Sequence, residues 1–243
     1  MNFDNYKFHP SSLGKFMTSS RTKGDLGETC KKALIACYVE QVYGRRKDIT
    51  NKYIEKGLEA EEDSITLYSR VTKKFHKKNE EVIVNDFFVG TPDLFDGESI
   101  YHANTIIDIK TSWDIHTFFN TIVSPINKDY WWQGQAYMDL TGAKTFKLVY
   151  CLVNTPLVLI EQEKNRLLYQ MGVTTRENEL YLEACEKLER ELTFDDIPLK
   201  DRYISFEIKR DDAAIAEAKD KLRECREYLN LLYTSQNHEL ILA

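Results

Sequence analysis

Between residues 82 and 111 the spacing of apolar residues changes, and that change limits what this chain can fold into. Upstream the pattern is helical. Leu26, Ala33, Leu34, Cys37 and Val42 recur near a 3.6 period and predict a helix over 24–43, ended by Gly44. A second helix is predicted over about 49–71, beginning near Ile49, with Ile54, Leu58, Ile65 and Leu67-Tyr68 as its apolar positions. The runs Val82-Ile83-Val84 and Phe87-Phe88-Val89 are then short, rich in β-formers and bounded by turn residues. Asp96-Gly97 and the residues around it predict a hairpin turn, and Thr105 to Thr111 a buried strand that ends in polar residues. Helices are predicted over 114–121 and 128–140, a strand over 146–153, helices near 156–170 and 176–192, a strand over 203–208 and an amphipathic helix over 211–233. This order predicts an α/β fold, a mixed sheet flanked by helices. We expect a single domain over 1–243: a core at about 50–155, a helical N-terminal region over 1–49, and a helix-strand-helix extension over 156–243.

Composition excludes several classes. Hydrophobic residues are 42% and charged residues 30% of the 243, as in ordinary globular proteins. No apolar run approaches the roughly 18 residues of a membrane span, and the start MNFDNYKFHP lacks a signal-peptide pattern, so a cytoplasmic protein with no membrane partner is expected. Cys30, Cys37, Cys151, Cys185 and Cys225 are scattered and form no CxxC pair, which predicts free thiols rather than a zinc site, iron–sulfur cluster or disulfide framework. His76, His102 and His116 lack ligand spacing. The net charge of −6 is neutral evidence about nucleic acid, because the distribution of charge matters more than its total. Lys73-Lys74-Phe75-His76-Lys77-Lys78 is a candidate for duplex contact, or equally a solvated loop before a strand. Arg45-Arg46-Lys47 follows a helix C-terminus, where cations are favoured anyway.

The chemistry concentrates between Gly90 and Thr111. Asp93 follows Pro92 in VGTPDLFDG; Asp108 and Lys110 sit two apart in IIDIKTS. Side chains at i and i+2 of a strand share a face, so Asp108 and Lys110 look into one space while Ile107 and Ile109 point into the core. A hairpin can bring Asp93 beside Asp108. Two carboxylates and an ammonium packed together are costly unless something neutralises them, and Mg2+, with its oxygen ligands and retained waters, does so well. The alternative is a salt-bridged strand pair.

These residues resemble the PD-(D/E)xK nuclease superfamily, in the branch of RecB-like and phage lambda-type (YqaJ-like) exonucleases. Pro92-Asp93 matches the PD, and Asp108-Ile109-Lys110 the (D/E)xK with Asp in the middle place. Gly57-Leu58-Glu59-Ala60-Glu61 fits the G-x-x-x-E helix of that branch, with Gly24 to Glu28 as the competing match; Gln133-Gly134-Gln135-Ala136-Tyr137 fits its Q-x-x-x-Y helix. The resemblance covers about residues 50–155 and implies a restriction-endonuclease-like fold. It implies metal-assisted hydrolysis of DNA phosphodiesters, with Asp93, Asp108, Glu61 and the Ile109 carbonyl at Mg2+ (or Mn2+) and Lys110 positioning the nucleophile. Gln133 and Tyr137, with Tyr130 on the same helical face, would then hold the substrate backbone, helped by Thr111, Lys73 and Lys74. The iron–sulfur relatives' cysteine set is absent. The implied role is a phage exonuclease processing DNA ends for recombination, with DNA and an annealing or recombination protein as partners; lambda-type relatives form a ring, and no interface signature in this sequence decides between a homo-oligomer and a monomer. Its rivals are a structure-specific or nicking endonuclease on the same scaffold, and a DNA-binding or assembly protein that has lost turnover.

Overall fold

The structure, a computed structural model, describes residues 2–20, 22, 24–47 and 50–235. After a 3-10 turn at Pro10–Ser12 come α1 (Leu13–Phe16), α2 (Glu28–Tyr43), α3 (Lys52–Glu59) and α4 (Glu61–Thr72). Next are β1 (Ile83–Val84), β2 (Val89–Gly90), β3 (Leu94–Gly97), β4 (Ala103–Thr111), α5 (Ile115–Val123), α6 (Lys128–Thr141) and β5 (Thr145–Cys151). The chain closes with α7 (Leu157–Gln170), α8 (Glu179–Leu192), β6 (Tyr203–Lys209) and α9 (Asp212–Ser235). The predicted mixed sheet with helical flanks is what forms.

The main sheet has the order β3-β4-β5-β6. β3 pairs antiparallel with β4, β4 parallel with β5, and β5 antiparallel with β6. A parallel pair needs a crossover, and here it runs through α5 and α6. β1 and β2 form a separate antiparallel ribbon.

The pleat of β4 divides the molecule. Ile107 and Ile109 face Ile65, Leu67 and Tyr68 of α4 in one buried cluster. Ile106 belongs to the other, with Phe146, Leu148 and Ile208 of the sheet, Ala136 and Met138 of α6, Leu34 of α2 and Leu222 of α9. Burying each such side chain contributes about 1.5–3 kcal/mol. α6 lies close on β5: a Cβ at Gly134 would stand 2.5 Å from the Phe146 ring. Gln135 fastens the same helix to β6, its amide donating to the Lys209 carbonyl at 2.9 Å and its oxygen accepting from the Asp211 amide at 2.9 Å.

Several expected boundaries move. The first long helix begins at Glu28 rather than 24, with Gly27 extended at its N-cap. The helix expected over 49–71 is two, broken at Ala60 (φ −107°, ψ 14°). Asn51 starts α3 by accepting from the Tyr53 and Ile54 amides, which contributes about 1 kcal/mol; Ile49 lies outside the described residues. The hairpin turn lies just beyond Asp96-Gly97. Both pair with β4, across a register shift, and the chain reverses through residues 98–102 with a 3-10 turn at Ile100–His102.

Candidate active site

β3 and β4 bring the acidic residues together by register. Leu94 pairs with Ile107, so one step earlier Asp93 stands across from Asp108. Asp93 Oδ2 accepts from the Ile109 amide at 2.8 Å. Behind it, the Asn79 backbone amide donates to the Asp93 carbonyl at 2.7 Å and its side-chain amide to the Pro92 carbonyl at 3.0 Å. The Pro92-Asp93 step is therefore held from both sides, and nothing in the local pattern around Asn79 marks it for that task.

Asp108 is only 2% exposed. Its Oδ1 accepts from the Gln133 amide of α6 at 3.0 Å, and its Oδ2 lies 2.5 Å from Lys110 Nζ. That contact is an ion pair, and among the described residues Oδ2 has no other partner. Lys110 Nζ also sits 4.9 Å from the centre of the Tyr130 ring, a favourable cation–π distance.

The electrostatics follow from burial. Desolvation, and then the neighbouring Asp108, push the Asp93 carboxyl well above the ordinary carboxylate range; Lys110 and the Ile109 amide oppose this only in part. Desolvation alone would lower the Lys110 pKa, but Asp108 and Asp93 outweigh it and raise it above the usual lysine value. Lys110 is thus a held cation.

Asp93, Ile109, Lys110 and Thr111 open onto a cleft of about 530 Å3. Glu61 lines it from the start of α4, Tyr53 and Leu58 from α3, and Trp113 and Tyr130 from beyond β4. Glu28, the competing match, is on the exposed first turn of α2 and does not line this cleft. The Glu61 carboxylate pairs with Lys78 rather than turning to the aspartates.

Other expected site residues are placed differently. Gln133 and Tyr137 are buried with their polar atoms engaged, Gln133 on Asp108 and the Tyr137 hydroxyl on the Thr91 carbonyl at 3.2 Å. They support the acidic pair from behind instead of facing a substrate backbone, because α6 packs its Gln133–Tyr137 face onto the sheet. Thr111 lines the cleft with its hydroxyl 2.9 Å from that of Ser64. Lys73 ends α4 in the left-handed region (φ 53°), Lys74 pairs with Asp96, and neither lines the cleft.

One neighbouring residue carried no sequence signal. Lys56, fully buried on α3, donates to the Trp113 carbonyl at 2.8 Å and lies 5.7 Å and 5.2 Å from the Trp113 and Phe194 rings. It ties α3 to the loop after β4. Desolvation lowers its pKa to about 7.

Among the described residues, no three His, Cys, Asp or Glu side chains converge closely enough to hold a metal ion by themselves. The donor set nonetheless fits a divalent cation bound by two carboxylates and completed by other oxygens, as Mg2+ commonly is. Burial and then the Asp108 charge disfavour the Asp93 carboxylate, with Lys110 offsetting this only in part; a divalent cation between the two carboxylates relieves it.

No protein-family model matches this sequence, and no curated protein matches it. Solved structures do. A phage-related exonuclease from Haemophilus somnus 129PT superposes with a TM-score of 0.75 at 26% identity, over 96% of this chain and 97% of that one. The fold is of the exonuclease type. An alkaline exonuclease from Laribacter hongkongensis shares it with a TM-score of 0.63 at 18% identity, over 96% and 94% of the two chains. The dAMP complex of the Laribacter enzyme matches with a TM-score of 0.62 at 19% identity, over 95% and 92%.

Proposed function

We propose that this protein is a divalent-metal-dependent DNA exonuclease, working at DNA ends, with Asp93, Asp108 and Lys110 as its catalytic residues. One observation carries the reading: Asp93 and the held cation Lys110 line an open cleft with the Asp108 carboxylate buried against them, in a fold shared with exonucleases.

Asp93 and Asp108 would hold Mg2+, with the Ile109 carbonyl as a further oxygen and Glu61 reaching it directly or through water. The bound ion would polarise a phosphoryl oxygen and lower the pKa of a water. The two carboxylates favour the protonated form of Lys110, which suits it to orient the attacking water and stabilise charge on the phosphate oxygens. Gln133 fixes the orientation of Asp108, as an outer hydrogen bond does for a ligating carboxylate. Tyr130 holds the Lys110 ammonium over its ring. End processing for recombination, with an annealing protein as partner and a homo-oligomeric assembly, fits the phage-related neighbour.

The test uses purified protein with Mg2+ or Mn2+ on linear duplex and covalently closed circular DNA. Linear DNA should shorten from an end while the circle persists. A circle cut as fast as the linear duplex overturns the exonuclease reading in favour of an endonuclease. If neither is cut, nor nicked or single-stranded DNA, the chain is a binding protein. Asp108→Ala and Lys110→Ala should each abolish cleavage.

A further inference from the structure

A second groove, of about 480 Å3, lies between α1, α2 and the segment after α2, and shares no lining residue with the cleft. Four cations border it: Lys15, Lys32, Arg46 and Lys47. They come from three separate stretches of chain, so the fold gathers them; they are not a single run along one helix. Thr29 adds a hydroxyl, and among the described residues Glu40 is the only carboxylate on the lining. Among the described residues none of the four cations is ion-paired, although salt bridges elsewhere engage many of the chain's lysines and arginines. The chain as a whole carries −6. A local excess of three positive charges on such a protein is a field that attracts a polyanion.

We propose that this groove binds the phosphodiester backbone of a nucleic-acid strand outside the cleft. The inference rests on the nuclease reading for the identity of the strand as substrate. Its volume falls in the range of small-molecule pockets, yet all four cations are exposed, and exposed flexible cations suit a sliding backbone better than a fixed small anion. Its place is also apt. α1 packs on α6, where Gly14 meets Asp129 so closely that a Cβ would lie 2.7 Å from the Asp129 Cα, and the next residue of α6, Tyr130, lines the cleft. A strand in the groove is thus one helix away from the acidic pair.

The test is binding of a labelled duplex of about 30 base pairs, in EDTA so that nothing is cut, between about 50 and 200 mM salt. Lys32→Glu/Arg46→Glu should weaken binding at least about 10-fold and flatten the slope of log affinity against log salt by about 2. Arg190→Glu/Lys200→Glu, with the same charge change on exposed residues elsewhere, should bind as the wild type. Unchanged affinity and slope in the groove variant overturn the proposal, as does an equal loss in the control variant. Millimolar dAMP or inorganic phosphate bound by the wild type and lost in the groove variant, with duplex binding intact, marks a mononucleotide or phosphate site and also overturns it. If the charge-reversed pair does not fold, Lys32→Gln/Arg46→Gln carries the same comparison. Cleavage of an oligonucleotide short enough to occupy only the cleft should be equal in wild type and groove variant. If the wild type does not cut it, the nuclease reading fails, while the salt slopes still report on the groove.

Discussion

Gln133 gives its side-chain amide to Asp108 Oδ1 at 3.0 Å, from a helix that enters the fold only through the crossover between β4 and β5. The buried carboxylate is thereby fixed by a residue 25 positions away in sequence. Gln133→Leu should lower kcat by about 10- to 100-fold with little change in KM, as expected when an outer hydrogen bond to a metal ligand is lost. Equal kcat in the variant would show that Asp108 needs no such support. Gln133→Glu should be worse, since it sets a third carboxylate against Asp108.

Mg2+ should raise the thermal midpoint of the protein. Binding only to the folded state contributes about 2.7 kcal/mol at a concentration 100 times Kd, or roughly 5–10 °C for a chain of this size. The rise should vanish in Asp93→Asn/Asp108→Asn, measured by differential scanning fluorimetry with and without EDTA. A shift that survives both changes would locate the ion elsewhere.

Lys56 should make stability depend on pH. Its pKa is lowered to about 7 in the folded chain from the ordinary value of 10.5. Between these values the unfolded chain binds more protons than the folded one, so this group makes stability rise with pH from about 7 to 10.5. Below about 7 its burial penalty is present in full. Denaturant titrations of wild type and Lys56→Met across that window should give a steeper rise in the wild type. Parallel curves would mean that Lys56 titrates normally.

Gly134→Ala should destabilise the protein by about 1–3 kcal/mol, because the new methyl meets the buried Phe146 ring at 2.5 Å. The urea midpoint reads this directly. Since the shift would move α6, and Gln133 with it, activity should fall at temperatures where the variant is still folded.

The site's chemistry was legible where it depends on a short period. Asp108 and Lys110 share a strand face because they are two apart, and Asp93 reaches them through a hairpin of adjacent strands. Three features were not legible. Ala60 breaks the helix that carries Glu61, though the apolar pattern runs through it unbroken: α4 packs on Ile107 and Ile109 of the sheet, while Lys56 ties α3 to the loop after β4. The engaged state of Gln133 and Tyr137 depends on which face of α6 meets the sheet, which the crossover sets over long range. Lys56 looked like any helical lysine; only tertiary packing buries it beneath Trp113.

The two ends of the chain close on each other. The Phe3 amide donates to Asn230 at 2.7 Å, and the Cys30 and Cys225 sulfurs lie 3.7 Å apart in the core shared by α2, α6 and α9. For a chain made from its N-terminus onward, Phe3 and Cys30 therefore meet partners that lie 227 and 195 positions later in the sequence. The acidic hairpin is synthesised early, but the helix behind it stays unsupported on one side. Without α9, the core that α2 and α6 share would lose Leu222, Cys225 and Leu229 and lie open on that side.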